Sequence, residues 1–190
     1  GVAYLAVTHL SGKELMADVR LRFQEQGFVG MKPYLFDGAK YDSDLYIPCW
    51  EYADERGLYV LCHIGGEAGG MDVLSGLAAR YPNMQWVVAH AGGSFGMTRQ
   101  VAASMKAYPN IWAELTLTLV TNGVIEWMVQ KIGDDRILFG TDAPLRDPRP
   151  QFGWVSWSDL PVESRKRILG ENFKRLLSMR KDCSKERSDH

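Results

Sequence analysis

The sequence predicts an α/β fold built on a parallel sheet, and three observations predict it. Short apolar runs alternate with amphipathic stretches along the 190 residues. The later runs start near residues 29, 59, 86, 111 and 137, about 25–30 residues apart, which is the length of one βα unit. Two of the runs, YVLCH at 59–63 and WVVAH at 86–90, are apolar without alternation, as expected of parallel strands covered on both faces.

Each element has its own signal. Residues 4–8 (YLAVT) read as a strand. Ser11 stands three residues before Glu14, a capping-box pattern that opens a helix running to about residue 26, with Gly27 as its stop. Residues 29–33 (VGMKP) form the next strand. Residues 44–56 are helical, with the helix proper starting near Pro48 and ending at Gly57. After the strand at 59–63 comes a helix over 71–81, stopped by Pro82-Asn83. The strand at 86–90 is followed by a helix over 94–107. A strand at 111–114 (IWAE), a helix at 123–132 ended by Gly133 and a strand at 137–140 (ILFG) complete the series. Residues 142–160, rich in Pro, Arg and Trp, read as a long loop. Two short helices at 162–169 and 172–179, separated by Gly170, close the fold, and residues 180–190 form a polar tail.

Composition narrows the function classes. An apolar fraction of 46% and a charged fraction of 24% are ordinary for a globular domain. A net charge of -1 gives no global attraction to nucleic acid or an anionic membrane. No apolar run approaches the roughly 20 residues of a membrane span. The opening GVAYLAVTHL reads as a core strand and not as a signal peptide. Cys49, Cys62 and Cys183 are scattered and odd in number, which suggests reduced thiols and a cytoplasmic location. The expected partner is a small anionic molecule, with homo-oligomerisation open. A barrel and an open doubly wound sheet both satisfy the alternating βα pattern, and the absence of G-x-G-x-x-G after the first strand weakens the dinucleotide-binding version. For a barrel, the six strands fall short of the eight of a closed one, so two βα units are expected to be missing before Gly1. The barrel domain is thus read as 1–179, incomplete at its start.

In parallel βα folds, catalytic groups gather at the carboxyl ends of strands. Three of the four histidines follow strands: His9, His63 and His90; Asp142 follows ILFGT. His63 precedes Gly65-Gly66, which leaves room for a ligand, and His90 precedes Gly92-Gly93, which permits close approach of a substrate. Asp142 sits between Gly140 and Pro144, far from the next expected helix, so a capping role does not account for it. Imidazole and carboxylate are suitable ligands for a divalent cation, Zn2+ first and Mn2+ second, which would make water acidic enough to act at neutral pH. Asp142 could bind the cation and take a proton, while His90 acts as base or stabilises developing charge. Lys32, at the end of VGMKP, is a candidate contact for a substrate carboxylate. Glu114, at the end of IWAE, is a candidate substrate contact, a partner standing behind a site residue, or half of an arginine pair. Arg146 suits carboxylate binding, with Arg149 nearby, and Trp154 and Trp157 could line the pocket. Tyr34, Trp50 and Trp112 are assigned to packing.

The stretches GFVGMKPY, LCHIGGE, VVAHAGGSFG, ILFGTDAP and ILGENFKRLL, spread over residues 27–177, resemble the amidohydrolase-related family of the metal-dependent amidohydrolase superfamily. That resemblance implies a TIM-type (β/α)8 barrel, with residues 4–8 as its third strand and 29–33 as its fourth. It implies that His63 is a metal ligand, that His90 is catalytic, and that Asp142 both binds metal and shuttles the proton. The family's His-x-His pair of the first strand is not in this sequence, and His9 cannot replace it. The chain alone is therefore expected to be poorly active. Three functions remain: a hydrolase of a lactone, ester or amide of a small organic acid, favoured here; a decarboxylase of an aromatic or related acid on the same residues; and a non-catalytic barrel remnant.

Overall fold

Strands and helices alternate along the chain, and the strands follow one another in the sheet in chain order. The structure, a computed structural model, describes residues 2–5, 12–33, 39–65, 69–116 and 122–181. The strands are β1 (Val2–Leu5), β2 (Gly30–Pro33), β3 (Tyr59–Cys62), β4 (Gln85–Val88), β5 (Ile111–Glu114) and β6 (Ile137–Leu138). β1 with β2, β2 with β3, and β5 with β6 pair in parallel, the parallel α/β arrangement the sequence predicts. Among the described residues there are six strands, against the eight of a closed (β/α)8 barrel. No described helix is long and apolar enough to cross a membrane. The chain divides into two compact units, 1–86 with 176–190, and 87–175.

In the first unit, α1 (Gly12–Arg20) runs on into a π turn at Leu21–Glu25 and stops at Gly27, whose φ of 71° is left-handed. Ser11 of the expected capping box lies outside the described residues. A 3-10 turn (Asp44–Tyr46) leads into α2 (Ile47–Arg56), with Pro48 in the first turn where its missing N–H costs nothing. α2 ends at Gly57, φ 61°. Trp50 packs as expected: it stacks on Tyr46 at 4.9 Å, meets Trp86 edge-on at 5.4 Å, and donates its indole N–H to the Tyr41 carbonyl at 2.8 Å. α3 (Met71–Arg80) follows. The Asp54 carboxylate accepts both N–H groups of Asn83, main chain and side chain, at 2.8 Å, and that of Met84 at 3.0 Å, pinning the turn that delivers β4.

In the second unit, Ser94 caps α4 (Phe95–Ala107) by accepting the Met97 N–H at 3.1 Å. Arg136 closes the far end of α4. Its guanidinium donates to the carbonyls of Met105, Tyr108, Pro109 and Ile111. Trp112 is fully buried beneath the Arg175 guanidinium, 4.7 Å from the ring centroid. α5 (Val124–Ile132) ends at Gly133, φ 76°.

Two expectations are corrected here. The stretch 142–160 is not one loop, because it contains α6 (Pro148–Ser156). Asp147 caps that helix by accepting the Arg149 N–H at 3.0 Å, Pro148 fits its first turn, and Gln151 and Val155 supply a buried face. The closing helices are not separated by Gly170 either. α7 (Val162–Lys166) passes through a π turn (Arg167–Glu171) straight into α8 (Asn172–Ser178). Gly170 does not take the left-handed φ that makes Gly27, Gly57 and Gly133 stops. Asn172 instead ties this segment down, donating to the carbonyls of Asp134 at 2.6 Å and Ile137 at 2.8 Å.

Candidate active site

His63, His90 and Asp142 follow the carboxyl ends of β3, β4 and β6, whereas Lys32 lies within β2, Glu114 ends β5 and Trp154 lies within α6. In the first unit, His63 comes directly after β3 and is half-buried. Its carbonyl accepts the Tyr41 hydroxyl at 2.8 Å, while the Tyr41 carbonyl is held by Trp50. Burial raises the Tyr41 phenol well above its ordinary range, so it stays protonated and remains a donor. Tyr41 went unnoticed in the sequence because it lies in an irregular stretch with no motif around it. Next to His63, burial pushes the Cys62 thiol up to about 12, which keeps it neutral and unreactive. Lys32 is half-buried on β2, in register with Tyr4. Beyond His63, the Gly65 N–H donates to the Gly69 carbonyl at 3.1 Å. Gly66, His9, Tyr34 and Cys183 lie outside the described residues.

In the second unit, the chain leaves β4 and turns at His90, whose φ is 59°. Asp142 turns the same way at φ 57°. These are the only two non-glycine residues with left-handed φ among the described residues, and both are residues the sequence singled out for chemistry. A left-handed φ is uncommon outside glycine, and such conformations persist where the surroundings impose them. Around His90 the surroundings are well defined. The Ala91 N–H donates to the Glu114 carbonyl at 2.9 Å, and the Gly93 N–H donates to the His90 carbonyl at 3.0 Å. The Thr98 hydroxyl bridges the carbonyls of Ala91 and Ser94. Nδ1 of His90 lies 3.0 Å from the Thr116 carbonyl. A carbonyl only accepts, so in this hydrogen bond Nδ1 is the donor.

Behind His90 sits Glu114, the last residue of β5 and buried. Its Oε1 accepts the Thr116 main-chain N–H at 2.8 Å and also the Thr116 hydroxyl. Its Oε2 accepts the His90 main-chain N–H at 3.4 Å. Burial raises the Glu114 carboxyl above its usual value, and the hydrogen bonds from Thr116 and His90 only partly offset this. Glycine at 140 is what admits this carboxylate: a Cβ there would lie 1.6 Å from Oε1 and 2.6 Å from the Thr116 hydroxyl. Thr116 and the role of Gly140 were not legible in the sequence, since Thr116 lies two residues past the strand end with no motif of its own.

Asp142 is exposed; its carbonyl accepts the Arg146 N–H at 3.1 Å, and a cis Ala143-Pro144 bond follows it. Arg146 is exposed, Trp154 half-buried and Trp157 89% exposed. Arg149 turns back onto Asp147, its Nε 2.9 Å from both carboxylate oxygens. An imidazole at 63 and a carboxylate at 142 suit a divalent cation chemically. Among the described residues, no three or more His, Cys, Asp or Glu side chains gather as a metal-holding group.

A parallel α/β sheet whose strands follow chain order is the arrangement of a partial TIM-type barrel. The chain belongs to the amidohydrolase family, whose model Amidohydro_2 it matches over residues 2–178. Comparison with curated protein sequences finds no match. Among solved structures, an uncharacterized TIM-barrel protein from Bordetella bronchiseptica is similar with a TM-score of 0.77 at 18% identity, over 94% of this chain and 66% of that one. A 2,6-dihydroxybenzoate decarboxylase from Rhizobium is similar with a TM-score of 0.73 at 17% identity, over 94% of this chain and 70% of that one. A dihydroxybenzoic acid decarboxylase from Polaromonas sp. JS666, with bound manganese and the inhibitor 2-nitroresorcinol, has a TM-score of 0.68 at 18% identity, over 89% and 66%. The likeness is one of fold, and the chain spans about two thirds of the length of these chains.

Proposed function

We propose that this chain carries the decarboxylation machinery for an aromatic carboxylic acid, with His90 and Asp142 handling the proton. The observation that carries the reading is that His90 and Asp142 alone, among the described non-glycine residues, hold a left-handed backbone. The choice of a lyase over the hydrolase favoured from sequence is supported by the dihydroxybenzoate decarboxylases among the structures of similar fold. In the reaction the bond between ring carbon and carboxylate breaks, its electron pair stays on the ring, CO2 leaves, and the ring carbon takes one proton. His90 keeps its Nδ1 proton on the Thr116 carbonyl, so the proton that moves is the one on Nε2. Asp142 accepts and returns protons as the second group. His63 and Asp142 each offer a ligand suited to a divalent cation, with manganese favoured by the Polaromonas structure and zinc its rival; such a cation would supply positive charge to fix the anionic substrate. Lys32 and Arg146 offer further positive charge to the carboxylate and Trp154 a ring face for the substrate.

Family membership favours a second reading, hydrolysis of a lactone, ester or amide with Asp142 as the base. Carboxyl-labelled hydroxybenzoic acids, incubated with the chain and Mn2+ or Zn2+, are expected to release labelled CO2, a readout sensitive to slow turnover. Acid release from lactones with no labelled CO2 would overturn the lyase reading in favour of hydrolysis. Absence of both, together with absence of metal uptake, would reduce the chain to a non-catalytic remnant.

A further inference from the structure

We infer that Glu114 is a positioning residue whose buried carboxylate sets the tautomer of His90 through Thr116; the inference rests on the reading of His90 as the proton-handling group. Glu114 gathers three donors from two separate chain segments: the N–H and hydroxyl of Thr116, and the main-chain N–H of His90. The first two fix residue 116, and its carbonyl is the group that faces Nδ1 of His90 at 3.0 Å. The third fixes the His90 backbone at the point where φ is 59°. One carboxylate therefore holds both ends of the imidazole contact: the acceptor on Thr116 and the chain that carries the ring. A main-chain carbonyl can only accept, so the pair locks the proton on Nδ1 and directs the basic Nε2 away from it.

The geometry also explains why the residue is an acid and not an amide. Glutamine keeps one acceptor oxygen, but its NH2 replaces the other with a donor. It would then oppose the N–H of His90 or the donors of Thr116. The Gly140 position is shaped to the same carboxylate, because a Cβ there would occupy its Oε1. Glu114 thus serves the site from 7% exposure, without needing to touch a substrate.

The test reads the imidazole itself, by long-range 1H–15N correlation spectra of the 15N-labelled full chain without substrate, with His90 assigned by the spectrum of His90→Asn. Wild type is expected to show His90 protonated at Nδ1. Glu114→Gln is expected to lose that signature, giving an Nε2-protonated or mixed ring, while Thr116→Val, which keeps the main-chain N–H and carbonyl of residue 116, retains it. A wild-type ring protonated at Nε2, or a folded Glu114→Gln that keeps the wild-type signature, would overturn the assignment. So would a Glu114→Gln chain that fails to fold, since Glu114 would then be a fold residue. Because no turnover is measured, a chain that releases no CO2 but loses the signature in Glu114→Gln would refute the proposed reaction and leave the positioning role intact.

Discussion

At the scale of single residues, the left-handed positions and the buried carboxylate make distinct predictions. Asparagine tolerates the left-handed region better than most residues, so His90→Asn keeps the backbone turn while removing the proton carrier. CO2 release from the labelled acid is expected to fall about 100- to 10,000-fold, with binding of the acid nearly unchanged. Equal activity in the variant would remove His90 from the chemistry. Gly140→Ala places a methyl group against Oε1 of Glu114, whose contacts with Thr116 and His90 leave it little freedom to move. A loss of about 1–3 kcal/mol of stability is expected from such overpacking, measured by urea unfolding; an unchanged midpoint would show that the carboxylate swings aside. Glu114 also ties stability to pH. Its folded-state value is raised, so the native chain binds that proton more tightly than the unfolded chain does. The stabilising contribution is full below the unfolded glutamate value and is lost as pH rises through the folded one. The stability of wild type relative to Glu114→Gln should therefore decline with rising pH across that window. A difference that stays flat with pH would show that the carboxyl's value is not raised on folding.

At the scale of elements, helix ends decide what was legible in the sequence. The starts and stops at Gly27, Pro48, Gly57, Ser94 and Gly133 all act through local chain chemistry, and each was read correctly from neighbouring residues. Where the outcome depended on distant partners, sequence reading fell short. α6 was missed because Pro148, Pro150 and Gly153 resemble loop residues, whereas burial of Gln151 and Val155 and the Asp147 cap make the segment helical. Gly170 was read as a break, although Asn172, bonded to Asp134 and Ile137, carries the chain through it. The same division runs through the candidate site. His63, His90 and Asp142 are marked by their place after apolar runs. Tyr41 and Thr116 are marked only by what they touch. If the cap organises α6, Asp147→Ala should lower stability by about 1 kcal/mol and speed proteolysis within 148–156. Unaltered cleavage and an unaltered unfolding midpoint would show that burial alone forms the helix.

At the scale of the whole chain, family membership and the proposed chemistry meet in one question: whether the chain takes up a divalent ion, and whether His63 and Asp142 are among its ligands. A ligand that binds only the native state stabilises it by about 2.7 kcal/mol when present at one hundred times its dissociation constant. Thermal unfolding with increasing Mn2+ or Zn2+ therefore reports the ion without requiring turnover. The melting temperature of the wild-type chain is expected to rise with metal and return on chelation. His63→Gln and Asp142→Asn should each lower that rise. A rise that survives unchanged in both variants would place the ion on other groups and end the reading of His63 and Asp142 as metal ligands, while leaving the proton chemistry of His90 to be judged on CO2 release alone.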